Sequence, residues 1–208
     1  MLVAQEISGS FARAGVLAGS YIIGLALAAP AIGRFVDRHG PRVPLVACAT
    51  AHPALLCALV ACLRFTSSMP AALCCAFLAG ATFPPITACM RTFLRQRLGG
   101  ADALLSAAFS MESLLIESIF ILGPALVALF VAFASAQAAV LFCAVCTVGG
   151  TFWFLQSAAI RHWTVESRKT HGVLGPLSDP GFLPLLVIIT LYASAFGMVE
   201  MGVTGHAT

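Results

Sequence analysis

Charge is what this 208-residue chain has least of. Only 9% of its residues are Asp, Glu, Lys or Arg, against about a quarter in an ordinary soluble domain. That shortage excludes a disordered chain, a nucleic-acid binder and a typical cytosolic enzyme. The net charge of +3 is too small to attract a polyanionic partner. Catalytic signatures are missing as well. No His-Glu-x-x-His, Gly-x-Ser-x-Gly or phosphate-cradling Gly-x-x-x-x-Gly-Lys occurs, and no aspartate falls inside an apolar run. This argues against an intramembrane enzyme and against a nucleotide-driven pump, and no cofactor or metal is expected. Met1 is not followed by a basic stretch, so the opening residues do not read as a signal peptide. The eight cysteines lie within apolar runs and read as small packing residues. Cys143-x-x-Cys146 has redox spacing but neither a strand-turn-helix setting nor a polar neighbour to stabilise a thiolate.

What the chain does have is apolar length. Hydrophobic residues make up 60% of it, and its mean hydropathy is +1.00. A hydrocarbon layer about 30 Å thick takes about 20 helical residues to cross. Six runs qualify, over residues 11–32, 44–65, 70–93, 102–132, 136–160 and 182–204. Lipid offers no partner to an open strand edge, and the alternation of a β-barrel is absent, so the runs are predicted to be helices. The expected fold class is an all-α polytopic membrane bundle.

The few charges are placed unevenly. Residues 33–43 hold Arg34, Arg38 and Arg42. Residues 94–101 hold Arg95 and Arg97, with Arg91 just inside the preceding run, and residues 161–181 hold Arg161, Arg168 and Lys169. Those nine of the eleven Lys and Arg sit in alternate connectors, so the positive-inside rule places these three loops in the cytoplasm of a multi-pass plasma-membrane protein. Both chain ends then fall outside. Residues 1–5 are mostly apolar and stop at Glu6, like the tail of a preceding helix. The expectation is a fragment or a truncated product.

The first basic connector reads Gly33-Arg34-Phe35-Val36-Asp37-Arg38-His39-Gly40-Pro41-Arg42. Gly33 permits a close helix approach. Asp37 suits the N-terminus of a neighbouring helix, Arg38 and Arg42 suit carboxylates or anionic headgroups, and Gly40 permits a turn with positive φ. This Gly-x-x-x-Asp-Arg-x-Gly-x-Arg pattern, set between two spans on the basic side, resembles the loop between the second and third helices of the major facilitator superfamily of secondary transporters. Pro41 departs from it where the family usually has another basic residue.

The resemblance implies an assignment for the whole chain. Residues 1–160 would be the N-terminal transmembrane half, from the end of the family's first helix to its sixth. Residues 161–181 would be the central cytoplasmic loop, and 182–208 the first helix of the second half. It implies alternating-access transport of a small solute, with proton-coupled drug or sugar efflux as one form, and no enzymatic activity. Gly33, Asp37, Arg38, Gly40 and Arg42 would form a cytoplasmic gate. Membrane lipids, protons and a separate chain carrying the missing half are the implied partners. Two further family patterns are partial here. Gly80 stands where a glycine is expected in Arg-x-x-Gln-Gly, but the arginine is absent. Gly123-Pro124 matches the exporters' Gly-Pro, expected to kink the helix, while Ile119, Val127 and Ala128 replace other glycines.

Intramembrane acids need a reason, because each costs a few kcal/mol to insert. At 100° per residue, Ser106, Ser110, Ser113, Glu117 and Pro124 share one face of the fourth run, which is expected to border a bundle interior or aqueous cavity. Glu117, helped by Ser110 and Ser113, is a candidate for proton or substrate binding, and a buried acid bonded to a neighbouring helix is the alternative. Glu112 points away from Glu117 and is expected to pair with Arg91 as structural glue. Glu200 reads as a solvated helix end. His39 and His171 read as solvated, His162 as interfacial, and His52 as a packing residue. Gly15-x-x-x-Gly19 offers a close helix contact, and Pro84-Pro85 is expected to kink the third run and free carbonyls to line a cavity. A self-contained six-helix scaffold or channel is the competing reading of the whole chain.

Overall fold

The computed structural model describes residues 11–66, 68–157, 160, 163 and 182–206. Among these, every regular element is helical: α1 (Phe11–His39), α2 (Arg42–Ala61), α3 (Met69–Ala81), α4 (Ile86–Leu98), α5 (Asp102–Phe133), α6 (Ala136–Gln156) and α7 (Phe182–His206). Among the described residues five segments are long and apolar enough to cross a membrane, with α3 and α4 together forming one of them. The chain divides into two units at Glu166/Ser167, and α7 belongs to the second.

Several helix ends follow from local chemistry. α1 does not stop at residue 32 as expected. It carries the Gly33–His39 stretch as two further turns, because nothing there interrupts the ladder and Arg38 and His39 suit a helix C-terminus. Gly40 ends it, with φ of 80° and its N–H donating to the Val36 carbonyl at 2.8 Å, a left-handed cap that Pro41 then prevents from continuing. α2 ends in a π-turn over Cys62–Thr66. α4 likewise runs to Leu98, so residues 94–98 are helical rather than loop. Ser135 caps α6, its Oγ accepting from the Ala138 N–H at 3.1 Å.

The third run is broken, not merely kinked. Pro84 and Pro85 lack N–H groups and disfavour helix in the residue before them, so α3 ends at Ala81 and α4 starts at Ile86. Carbonyls just before the break have partners within the protein. Thr82 Oγ1 donates to Leu78 O at 2.8 Å and to Ala79 O at 3.2 Å, and His52 Nδ1 lies 2.8 Å from Ala79 O.

In the first unit α1 packs chiefly on α3, α2 on α3 and α6, and α5 on α4 and α6. The α1–α3 seam is made of small residues. Ala14, Leu17, Ala72 and Ala76 are buried there, and Ser20 Oγ donates to Leu73 O across it at 3.0 Å. The closest approach is at Gly24 and Gly80. A Cβ on Gly24 would overlap the Phe77 carbonyl, and one on Gly80 would overlap the Tyr21 carbonyl. Gly15 and Gly19, expected to make such a contact, have nothing within 4 Å of a Cβ position among the described residues. Gly80 follows Ala72 and Ala76 at four-residue spacing, a small-residue pattern that marks the true crossing.

The exterior is inverted relative to a soluble protein. α5 has no buried residue, and Leu114, Ile119 and Ile121 are 69%, 66% and 73% exposed, the arrangement lipid solvates and water does not.

Candidate functional site

The motif sits on the last two turns of α1 and the turn into α2. Its apolar member fixes it in place. Val36 is buried with Leu45 of α2 and Cys89 of α4, and Phe154, Leu155, Ile160 and Trp163 pack around that cluster. The polar members point outward: Arg34, Asp37, Arg38, His39 and Arg42 are all exposed, while Gly40 and Pro41 are buried. Asp37, expected to meet a helix N-terminus, has no hydrogen bond to its carboxylate among the described residues, though its charge lies within electrostatic range of Cys89. The His39 ring lies against Phe35, centroids 4.5 Å apart. Beside the turn is a cleft of about 570 Å³, lined by His39, Gly40, Pro41, Arg42, Leu155, Gln156, Ile160 and Trp163.

The acids of α5 occupy different sides of the helix. Leu105, Phe109, Glu112, Ile116, Gly123 and Val127 are half-buried and form one stripe. Glu112 lies in that stripe. Arg91 Nε of α4 donates to both of its oxygens at 2.9 Å, with the arginine side chain 52% exposed and the carboxylate 12%. One helical turn along, the Arg95 guanidinium stands 5.7 Å from the Phe109 ring centroid. These two contacts tie α4 to α5, and the second was not anticipated from the sequence, although Arg91/Arg95 and Phe109/Glu112 have the spacing of neighbours on a helix face.

Glu117 is on the open side. It is exposed, as are Ser106, Ser110, Ser113 and Pro124. The structure therefore keeps these five on one face but does not place that face inside the first unit's bundle. Nor do the serines serve the acid. Ser110 Oγ donates to Ser106 O at 3.0 Å and Ser113 Oγ to Phe109 O at 3.1 Å, each satisfying itself on its own helix. No hydrogen bond or ion pair engages Glu117 among the described residues. α5 runs unbroken through Gly123-Pro124. The side chain of Glu200 in α7, and the basic residues of 161–181, lie outside the described residues.

His52 is the polar residue whose importance the sequence understated. It is 3% exposed, and its ring meets Tyr21 of α1 and Phe83 edge-on, at 6.1 and 5.5 Å between centroids. A carbonyl only accepts, so Nδ1 must carry a proton to bond Ala79 O. His52 thus caps the end of α3 from a neighbouring helix.

Five apolar spans among the described residues, joined by short connectors such as the Gly33–Arg42 turn, define a multi-pass helical membrane protein. The sequence profile of the Major Facilitator Superfamily matches residues 1–207, and the chain belongs to that family of secondary transporters, whose substrates are small molecules. No curated protein and no solved structure matches it.

Proposed function

We propose that this chain supplies one helical bundle of a proton-coupled exporter, with Glu117 as the proton-exchanging group. The observation that supports this is Glu117 itself. It is a carboxylate about 22 Å along α5 from Asp102, on the polar face away from the packed stripe, with no ion-pair partner among the described residues. An acid kept at that depth is costly, and alternating protonation with solute binding gives the cost a purpose. Transport requires a second bundle to rock against this one around a midplane site. Gly33, Asp37, Arg38, Gly40 and Arg42 then form the cytoplasmic latch, and residues 161–181 the loop joining the bundles. Drugs and sugars are the solute classes to screen first.

Dicyclohexylcarbodiimide tests the central claim on the chain as it exists, because it adds to protonated carboxyls in apolar surroundings. The expected product carries the adduct at Glu117 and spares Glu112, whose oxygens hold Arg91. An adduct at Glu112 alone, or at neither residue, would overturn the assignment and favour a scaffold or passive channel.

A further inference from the structure

Near the end of α2, Cys62 opens the π-turn Cys62–Thr66, and its Sγ lies 3.9 Å from Sγ of Cys75 on α3. Both side chains are half-buried and both thiols are free. We propose that Cys62 and Cys75 are a reversible dithiol–disulfide modification site that staples α2 to α3. The geometry needs little change. A disulfide requires about 2.05 Å between sulfurs, so each sulfur moves by about 0.9 Å from the separation observed. Two helices already packed together bring the thiols into contact, and the π-turn loosens the backbone at one of them. No other pair of cysteines on different helices makes such a contact among the described residues.

The oxidant is a small organic disulfide, R–S–S–R. The thiolate of one cysteine attacks it, forming a mixed disulfide and expelling RS⁻. The second thiolate attacks the protein sulfur of that bond, forming the Cys62–Cys75 disulfide and expelling a second RS⁻. The two thiols lose two protons and two electrons, and the oxidant gains both electrons. This chemistry does not depend on the transport reading or on the orientation of the chain.

The test uses 4,4′-dithiodipyridine, one equivalent per reduced chain in detergent, followed by maleimide trapping in denaturant and intact-mass measurement. Closure releases two thiopyridones per oxidant and lowers the maleimide count from eight by two, with no thiopyridyl left on the protein and full recovery on reduction. Cys62→Ser and Cys75→Ser should each release one thiopyridone and retain a thiopyridyl adduct, while Cys57→Ser and Cys143→Ser should still release two. Release of one by the unsubstituted chain, or of two by Cys62→Ser, would refute the site. Fragment masses from the unsubstituted chain decide the matter even if a serine variant misfolds: a Cys62–Cys75 cross-link supports the proposal, and a link between any other pair overturns it.

Discussion

Replacing Gly80 by alanine adds one carbon at the tightest point of the α1–α3 seam. That Cβ would lie 2.8 Å from the carbonyl carbon of Tyr21 and 3.1 Å from the Leu25 nitrogen, where carbon–carbon contacts settle at about 3.5–4.0 Å. The obstacle is backbone, which cannot rotate aside, so the helices must part by about 1 Å. A gap of that size forfeits roughly a quarter to a half of each dispersion contact along the seam and stretches the 3.0 Å Ser20–Leu73 bond. Overpacking of this kind costs about 1–3 kcal/mol, and a backbone clash belongs at the upper end. Removing a glycine from a helix interior returns about 1 kcal/mol, leaving a net loss of about 2 kcal/mol. Gly15→Ala is the control. It meets no atom within 4 Å among the described residues and should gain up to about 1 kcal/mol from propensity alone. The two variants therefore differ by about 3 kcal/mol and in sign. Unfolding by SDS in mixed micelles, followed by circular dichroism, measures the difference. Gly24→Ala should resemble Gly80→Ala, and the double variant should cost less than the sum, because one separation relieves both overlaps. Equal stabilities for Gly80→Ala and Gly15→Ala would show that the helices do not cross there.

Arg91→Met leaves Glu112 half-buried and unpaired. Breaking a fully buried pair costs about 3–5 kcal/mol, and with Arg91 half-exposed about 1–2 kcal/mol is expected. Adding Glu112→Gln should recover part of it in the same assay, and strict additivity would deny the coupling. Thr151 is wholly buried and its hydroxyl has no partner among the described residues. Thr151→Val should therefore be neutral or stabilise by up to about 1 kcal/mol, and a clear loss would reveal a hidden acceptor. For orientation, Ala134→Cys should react with an impermeant maleimide added to intact cells, and Gly99→Cys only after permeabilisation. The reverse pattern would invert the topology.

The spans were legible because lipid leaves a chain one option: about 20 apolar residues in a row, hydrogen-bonded within themselves. The limits of each helix were harder to see. Polar residues at 33–39 look like a loop by composition, yet they continue α1 because nothing removes a hydrogen bond there before Gly40. Of the candidate site, the Arg91–Glu112 contact could be anticipated from charge and depth, both local properties. The direction of the Glu117 face could not, because a polar stripe says which residues share a side and not what that side meets. Glycine was ambiguous for the same reason. Gly15-x-x-x-Gly19 has the familiar spacing, but Gly24 and Gly80 carry the crossing because their partner helix arrives there. His52 was undervalued because the carbonyl it caps exists only where Pro84-Pro85 breaks a helix elsewhere in the chain.

That interruption also shapes the mechanics of the first unit. A continuous rod from Met69 to Leu98 would transmit any tilt along its full length. The four residues between Ala81 and Ile86, two of them prolines without an N–H, act instead as an elbow. Its upper arm is fastened to α1 through the glycine crossing, and its forearm is yoked to α5 through Arg91 and Arg95. Because Cys89 on the forearm packs with Val36 and Leu45, a pull on α5 bears on the Gly33–Arg42 turn before it bears on the glycine crossing.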